Sequence, residues 1–285
     1  MTVAVLGPGA VGGVLAVGFA DAGVRVVCIA RPDTANVIAS EGLSLRQGQT
    51  VRSARPEVVT ELREAVDLLL VTVKAPSLDE AIVRVQAPAA VVVPLLNGIE
   101  HMEVLARTFP HVIGASIGRI EAYLERPGVV VQPTPSVVMT VASGGPVELL
   151  RRSGVTVRED GSAKEVLWEK LARQAPTAAA TSITQRPIGE LRSDAEWSRK
   201  LRAAIEEACA IAAADGVSLS AQAEWEIIEA MPPLLTSSTA RDIAAGRTSE
   251  LDAITGAAVR AARRVGVEAP VLTQMFDEAC RASSR

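Results

Sequence analysis

Apolar residues in the first half of the chain form short runs that alternate with segments of helical spacing. Short apolar runs bounded by glycine, proline or charged residues are typical of buried parallel strands, and the helices between them cover the faces of the sheet. The turn-forming stretches 127–128, 133–135 and 144–146 separate the later runs, which we expect to form antiparallel extensions. The predicted strands are 3–6, 25–30, 68–73, 91–96, 112–117, 129–132, 137–142 and 155–158.

From about residue 162 onward, the apolar positions take the spacing of amphipathic helices. Leu201, Ile205, Ala208 and Ala212 lie on one helical face, for example. Pro176 is expected to end the first of these helices, since an interior proline removes a hydrogen bond and clashes with the preceding turn. The predicted helices are 164–174, 194–214, 221–231, 236–245, 249–265 and 270–282.

The first predicted strand leads directly into a glycine-rich turn, Gly7-Pro8-Gly9-Ala10-Val11-Gly12, which is followed by a helical segment. In such a motif Gly7 permits the tight turn, Gly9 lets the backbone approach a pyrophosphate, and Gly12 lets the helix pack on the sheet. The amino end of the helix faces the phosphates. The setting predicts a dinucleotide cofactor bound by residues 7–12.

The pattern as a whole predicts an α/β protein with two domains. A Rossmann-type doubly wound sheet in residues 1–161 would bind the cofactor. An all-helical C-terminal domain in residues 162–285 would follow it.

Arg31 follows the second predicted strand, where an NAD-binding protein usually places an acidic residue on the ribose hydroxyls. A guanidinium at this place suits the 2′-phosphate of NADP, because it donates charge-assisted hydrogen bonds to phosphate oxygens. The alternative is an ordinary solvated arginine, with Asp33 nearby as the acidic residue. We favour NADP.

Lys74 follows the third predicted strand and Asn97 follows the fourth, with Gly98 next to it. The carboxyl ends of parallel strands border one crevice, so we expect both side chains to lie near residues 7–12 and Arg31. The alternative is local: Lys74 ends a strand and Asn97 makes a left-handed turn before a helix.

Composition excludes several classes of function. The net charge of −4 and the aromatic content of 2% favour neither nucleic acid nor an anionic membrane as a partner. The apolar start lacks a basic leader and a cleavage site, and no apolar run is long enough to span a bilayer, so we expect a cytoplasmic protein. The three cysteines and two histidines are not spaced as metal ligands, so no metal is expected.

Three segments of the helical half add a resemblance to a known family. They resemble the signatures of ketopantoate reductases, and the glycine-rich turn, the VTVK sequence ending at Lys74 and the Asn97-Gly98 pair also match in order and spacing. The resemblance extends over nearly the whole chain. The three segments are WEKL at 168–171, SSTARD at 237–242 and GRTSELD at 246–252.

This resemblance implies that NADPH and a 2-oxo acid substrate bind between the two domains. Lys170 would be the general acid that protonates the carbonyl oxygen, and Asn97 would hold the lysine and the substrate. Ser238 would contact the substrate carboxylate, Glu250 would bind a substrate hydroxyl or orient the lysine, and Lys74 would line the site. Independently, an ammonium among apolar neighbours supplies both a proton and positive charge, and partial burial lowers its pKa toward the working pH. The residues alone favour the alternative, in which Lys170 extends from an amphipathic helix into solvent.

The chain departs from the family pattern at three positions where asparagine is usual. Gln174, one turn after Lys170, could replace one amide and contact the substrate, whereas Ala178 and Leu235 present apolar surface. Each buried hydrogen bond left unmade costs about 1–3 kcal/mol. We therefore expect a substrate less polar than ketopantoate, either another 2-oxo acid or an imine.

Two other functions remain open. A β-hydroxyacid dehydrogenase has a similar design, but the segments around Ser238 and Glu250 argue against it. A non-catalytic NADP-binding sensor belongs to a different class, and the loss of the asparagines keeps it open. A homodimer is a further option, because the alanine-rich stretches 201–214 and 253–262 suit self-association as well as a core.

Overall fold

The computed structural model describes residues 1–283 and divides the chain into two compact units. The first unit contains Met1–Leu96 and His101–Val166. The second contains the short segment Asn97–Glu100 and the chain from Leu167 onward. A Rossmann-type parallel sheet in the first unit and helices in the second confirm the predicted fold class.

The first unit contains ten strands and five complete helices among the described residues. The strands are β1 Thr2–Leu6, β2 Arg25–Ile29, β3 Leu43–Gln47, β4 Thr50–Ala54, β5 Glu57–Val59, β6 Val66–Val71, β7 Ala89–Pro94, β8 Ala115–Arg126, β9 Val129–Val141 and β10 Thr156–Glu159. The helices are α1 Ala10–Asp21, α2 Pro32–Glu41, α3 Leu78–Ile82, α4 His101–Ala106 and α5 Val147–Arg151. A single 3-10 turn, Ala75–Ser77, precedes α3.

Five parallel strands form the first sheet in the order β5-β2-β1-β6-β7. A second sheet has the order β10-β9-β3-β4, and β8 pairs with β9. The helix α1 shares one core with strands of both sheets, so it is apolar around most of its surface, as a fully buried helix must be. The other face of the first sheet packs on α3 and α4.

The second sheet differs from the sequence prediction in three ways. The strands β3 and β4 were not predicted, because each has only five residues, and neither was β5, a three-residue strand at the edge of the first sheet. Predicted strands 129–132 and 137–142 are one continuous strand, β9, which includes Pro133 and Pro135. These prolines lie between the stretches that pair with β3 and β10, where a missing N–H costs little. The third difference is that β10 pairs parallel with β9, not antiparallel.

The second unit is helical apart from its connecting loops. Its helices are α6 Ala163–Thr184, which begins in the first unit, α7 Ile188–Ser193, α8 Ala195–Ala214, α9 Ala221–Glu229, α10 Ser238–Ala244, the π-helical turn Asp252–Gly256, α11 Ala257–Val265 and α12 Pro270–Ser283. The short helix α7 was not predicted. The stretches 201–214 and 253–262 supply much of the buried core, so their alanines serve packing within this unit.

The prediction that Pro176 ends α6 is wrong, because the helix continues for two further turns to Thr184. Burial outweighs the local cost: Ala175, Ala178 and Ala179 are all within the core of the second unit. The buried Thr255 hydroxyl also donates to the carbonyl oxygen of Ala175 at 2.9 Å, next to the interruption. Among residues 1–283, no helix has the length and apolar character needed to cross a membrane.

Candidate active site

The three motif glycines of the first unit are required for different reasons. Gly7 has a φ of +88°, and a Cβ there would lie 2.5 Å from Val73 Cγ1. A Cβ on Gly12 would lie 2.4 Å from both the Gly7 carbonyl oxygen and the Thr72 hydroxyl. A Cβ on Gly9, by contrast, would meet no atom closer than 4.0 Å. Packing therefore explains Gly7 and Gly12, whereas the space over Gly9 is what a close approach to a ligand needs.

The helix α1 begins directly after Gly9, and no side chain caps its amino end. The N–H groups of a first turn have no partner within the helix, and the helix dipole gives them partial positive charge. This turn therefore fits an anion such as a cofactor pyrophosphate. The space over Gly9 and the uncapped first turn of α1 thus meet the steric and electrostatic requirements of the predicted dinucleotide site at residues 7–12.

Arg31 and Lys74 both belong to the first unit and both side chains are exposed. The Arg31 guanidinium donates to Glu80 Oε2 at 3.0 Å and to Ser77 Oγ at 3.4 Å. Lys74 directly follows Val73, the residue against which Gly7 packs. The structure thus places Lys74 beside the glycine-rich turn and Arg31 beside the segment that follows Lys74.

Asn97 belongs to the second unit, where its side-chain amide connects two charged groups. The Lys170 ammonium donates to Asn97 Oδ1 at 2.8 Å, and Asn97 Nδ2 donates to Glu250 Oε2 at 2.9 Å. Gln174 Nε2 also donates to Asn97 Oδ1, at 3.0 Å. The cation on one side and the carboxylate on the other fix the orientation of the Asn97 amide. We call these four residues the Asn97 cluster.

The four residues of the Asn97 cluster belong to three separate segments of the chain. Lys170 and Gln174 lie on the same face of α6, one turn apart. The buried Glu250 lies two residues before the π-helical turn, and such turns are frequent at functional sites. Gly98 has a φ of +81°, and a Cβ there would lie 2.0 Å from the Ala253 carbonyl oxygen. Only glycine lets the segment after Asn97 approach that turn.

Burial lowers the pKa of Lys170 to about 8. Desolvation of the ammonium is the largest cause, the carboxylate of Glu250 raises the pKa, and the charge of Arg173 lowers it. An amine with this pKa holds a proton at neutral pH and releases it readily, as a general acid must. Arg173 was missed from the sequence, although its place three residues after Lys170 put it on the same helix face.

Besides donating to Asn97, Gln174 has a buried oxygen atom whose environment the sequence did not indicate. Its Oε1 atom is buried and has no hydrogen-bond partner among the residues that the structure describes. A buried acceptor without a partner is uncommon in folded proteins, and a role in binding or catalysis is one explanation for it. The amide donor of Gln174 thus completes the Asn97 cluster while its acceptor remains unsatisfied.

The remaining predicted site positions lie around α10 and along α6. Ser238 is exposed in the first turn of α10, whereas its neighbour Ser237 caps the helix by accepting from Ala240 N at 3.0 Å. Ala178 is buried and Leu235 is 39% exposed. The substrate contacts expected for Ser238 remain a prediction.

A Rossmann-type unit followed by a helical unit with a desolvated lysine is the design of a nicotinamide-dependent oxidoreductase. Residues 3–143 match the family model of ketopantoate reductase PanE/ApbA, and residues 162–279 match that of its C-terminal domain. The chain therefore belongs to the ketopantoate reductase PanE/ApbA family. This confirms the resemblance inferred from the sequence.

Relatives extend over nearly the full length of the chain. It is 29% identical to the 2-dehydropantoate 2-reductase of Caulobacter vibrioides over 94% of each chain. It is 27% identical to the uncharacterized oxidoreductase YkpB of Bacillus subtilis over 95% of each chain.

Solved structures agree with this assignment. The PanE/ApbA family ketopantoate reductase of Ralstonia eutropha JMP134 superimposes with a TM-score of 0.89 at 28% identity, covering 100% of this chain and 99% of that one. The ternary complex of D-mandelate dehydrogenase with NADH and anilino(oxo)acetate shares the fold, with a TM-score of 0.91 at 21% identity and coverage of 100% and 99%.

Proposed function

We propose that the protein is an NADPH-dependent reductase that converts a 2-oxo acid to the 2-hydroxy acid, with Lys170 as the general acid. The substrate is ketopantoate or a less polar analogue. The observation that carries this proposal is the Lys170 ammonium, desolvated and held by Asn97 at 2.8 Å. Family membership supports the reaction class.

The cofactor is held by residues 7–12, Arg31, Lys74 and Asn97. Support for the first of these is the open space over Gly9 and the uncapped start of α1. Arg31 carries the preference for NADPH, because its guanidinium is exposed and suits a phosphate dianion. The 2′-phosphate then competes with the Glu80 carboxylate for the Arg31 guanidinium. The phosphate is the stronger partner, because it carries more negative charge than the carboxylate.

When bound, the reduced nicotinamide supplies a hydride to the carbonyl carbon of the substrate. Lys170 Nζ donates a proton to the carbonyl oxygen, so hydride and proton together convert the carbonyl to a hydroxyl. The positive charge of Lys170 stabilises the developing alkoxide before the proton is transferred. Asn97 Oδ1 holds the ammonium in place, and Glu250 keeps the lysine protonated by opposing part of the effect of desolvation.

The substrate contacts Lys74, Gln174, Ser238 and Glu250. The unsatisfied Oε1 of Gln174 supports a polar partner at that position, since a buried acceptor gains from any donor that reaches it. Where the family usually has asparagine, the 39% exposed Leu235 supplies apolar surface and the buried Ala178 offers no hydrogen-bonding side chain. This combination favours a 2-oxo acid with a less polar side chain than that of ketopantoate.

A panel of 2-oxo acids and imines tests this proposal, with NADPH consumption followed by absorbance. Phenylglyoxylate and 2-oxo acids with aliphatic side chains should exceed ketopantoate in kcat/KM. A value for ketopantoate of about 10⁴ M⁻¹s⁻¹ or more would refute the preference for a less polar substrate. Turnover of imines alone would replace the 2-oxo acid, and binding of NADPH without turnover of any compound would support the sensor.

A further inference from the structure

Glu100 ties the segment that carries Asn97 to α11. Its carboxylate accepts two hydrogen bonds from Arg260, from Nε at 2.8 Å and from Nη2 at 2.8 Å. This is the bidentate arrangement in which a planar guanidinium fixes the orientation of a carboxylate as well as binding it. Glu100 lies three residues after Asn97.

The same guanidinium also binds the π-helical turn. Arg260 Nη1 donates to Asp252 Oδ1 at 2.7 Å, and Nη2 donates to the Asp252 carbonyl oxygen at 3.0 Å. Asp252 lies two residues after Glu250. One side chain therefore joins the segment that carries Asn97 to the turn that directly follows Glu250 and Leu251. We call this set, Arg260 with Glu100 and Asp252, the Arg260 link.

We propose that Arg260 is a positioning residue that keeps Asn97 in register with Glu250 and Lys170. The role in turnover rests on the proposed function, but the positioning of Lys170 does not. Arg260 acts through Glu100 and Asp252 and has no direct contact with the substrate in this account.

The Arg260 link is suited to positioning more than to stability. Its carboxylates are 41% and 75% exposed, and exposed ion pairs contribute little to the free energy of folding. The effect of the Arg260 link on the reaction rate can be much larger, because displacement of a catalytic group by about 1 Å can lower a rate about a hundredfold. The Asn97 cluster depends on hydrogen bonds of 2.8–3.0 Å, which a small shift of the segment would break.

Loss of the Arg260 link should alter the environment of Lys170. Desolvation lowers the pKa of Lys170 most, the charge of Arg173 on the same helix lowers it further, and the carboxylate of Glu250 opposes both. If the segment Asn97–Glu100 loosens, water reaches the ammonium and the pKa of Lys170 rises toward its ordinary value. Replacing Arg260 thus has a consequence that can be measured without substrate.

The test measures the pH dependence of Lys170 labelling by an amine-reactive reagent, with the modified peptide quantified by mass spectrometry. In the unmodified protein the labelling midpoint is expected near the pKa of about 8. In Arg260→Ala the midpoint should rise by about one pH unit, whereas Arg260→Lys, which can reach only one carboxylate, should show a smaller rise. With an active substrate, kcat should fall about tenfold, and the KM for the cofactor should rise by a smaller factor, because Asn97 is only one of the groups proposed to hold the cofactor.

Arg186→Ala is the matched control. Arg186 also binds two carboxylates in the second unit, those of Glu190 and Asp194, and is 37% exposed compared with 38% for Arg260. The control should leave the Lys170 midpoint unchanged. Glu100→Gln keeps the shape of its side chain and should reproduce part of the shift if Arg260→Ala fails to fold.

An unchanged midpoint in folded Arg260→Ala, or in Glu100→Gln where Arg260→Ala does not fold, would overturn the proposal. An equal shift in Arg186→Ala would also overturn it, because the effect would then be general loosening. Labelling uses neither cofactor nor substrate, so failure of the proposed function would appear separately, as absence of turnover in the unmodified protein.

Discussion

The two units present their functional groups in opposite ways. In the first unit, one continuous stretch of backbone, residues 7–12, forms the predicted phosphate site. In the second unit, the side chains of the Asn97 cluster come from positions separated by 73, 77 and 153 residues along the chain. The first is a local structure fixed by sterics, and the second is a tertiary structure fixed by hydrogen bonds.

This difference determines what each site tolerates. A backbone site depends on the absence of a Cβ, so any side chain at Gly9 should act on the ligand and not on the fold. A site made of buried charges depends on the surrounding structure, because desolvation sets the pKa of Lys170. Substitutions in the two units should therefore separate cofactor binding from proton transfer.

Among the substitutions that distinguish the two units, Lys170→Ala should have the largest effect on turnover. Loss of a general acid should lower kcat by about 10²–10⁴-fold, whereas the Kd for NADPH should change little. Steady-state kinetics and fluorescence titration with NADPH measure the two quantities. Lys164→Ala, an exposed lysine of the same helix, is the control and should keep full activity. Undiminished turnover in Lys170→Ala would remove the lysine from the mechanism.

Gly9→Ala should give the opposite pattern. Its Cβ meets no protein atom closer than 4.0 Å, so the melting temperature should not change, but NADPH should bind about tenfold or more weakly. Calorimetry and titration provide the measurements. In Gly118→Ala the nearest atom to the new Cβ is at 3.9 Å, and this control should bind NADPH normally. Normal binding by Gly9→Ala would show that the cofactor does not pass over this residue.

Arg31→Ala tests the choice between the two nicotinamide cofactors. Removal of a charge-assisted contact should weaken NADPH by about tenfold and leave NADH unaffected. The ratio of kcat/KM for the two cofactors measures this preference. Arg46→Ala, which removes another exposed, paired arginine of the first unit, should leave the ratio unchanged. If Arg31→Ala has the same ratio as the unmodified protein, the predicted role of Arg31 is wrong.

The smallest effect is expected in the stability of Lys170→Met. The pKa of Lys170 is lowered on folding from 10.5 to about 8, so the charged lysine opposes folding below about pH 8, and this cost disappears as the pH rises through 10.5. Methionine should raise the free energy of unfolding by about 1–2 kcal/mol at neutral pH, and less at high pH. Denaturant titrations across this pH range measure the difference. A stability difference that grows with pH would contradict the assigned pKa.

The same contrast explains how much the sequence could predict. The glycine-rich turn was predictable because its signal is local: an apolar strand, glycines at fixed spacing and a helical run. The continuation of α6 through Pro176 was not predictable, since it depends on tertiary burial of Ala175, Ala178 and Ala179. The long strand β9 was missed for a related reason, because its prolines are tolerated only where no ladder partner needs an N–H.

In the candidate site, Lys170 and Glu250 were named through the family resemblance, whereas Asn97 was also indicated by its place after the fourth predicted strand. Spacing alone would not have placed the three together. Their hydrogen bonds, the donor role of Gln174 and the influence of Arg173 became visible only in three dimensions. Arg260 had no signal in the sequence, because its partner Glu100 lies 160 residues away along the chain.

In the proposed mechanism, the desolvated ammonium of Lys170 donates the proton during reduction. The pH dependence of kcat for reduction, measured with NADPH and the best 2-oxo acid, tests it most directly. We expect kcat to be constant below about pH 8, where the lysine is protonated, and to fall about tenfold per pH unit above it. A rate that stays constant or rises between about pH 8 and pH 10 would contradict the claim.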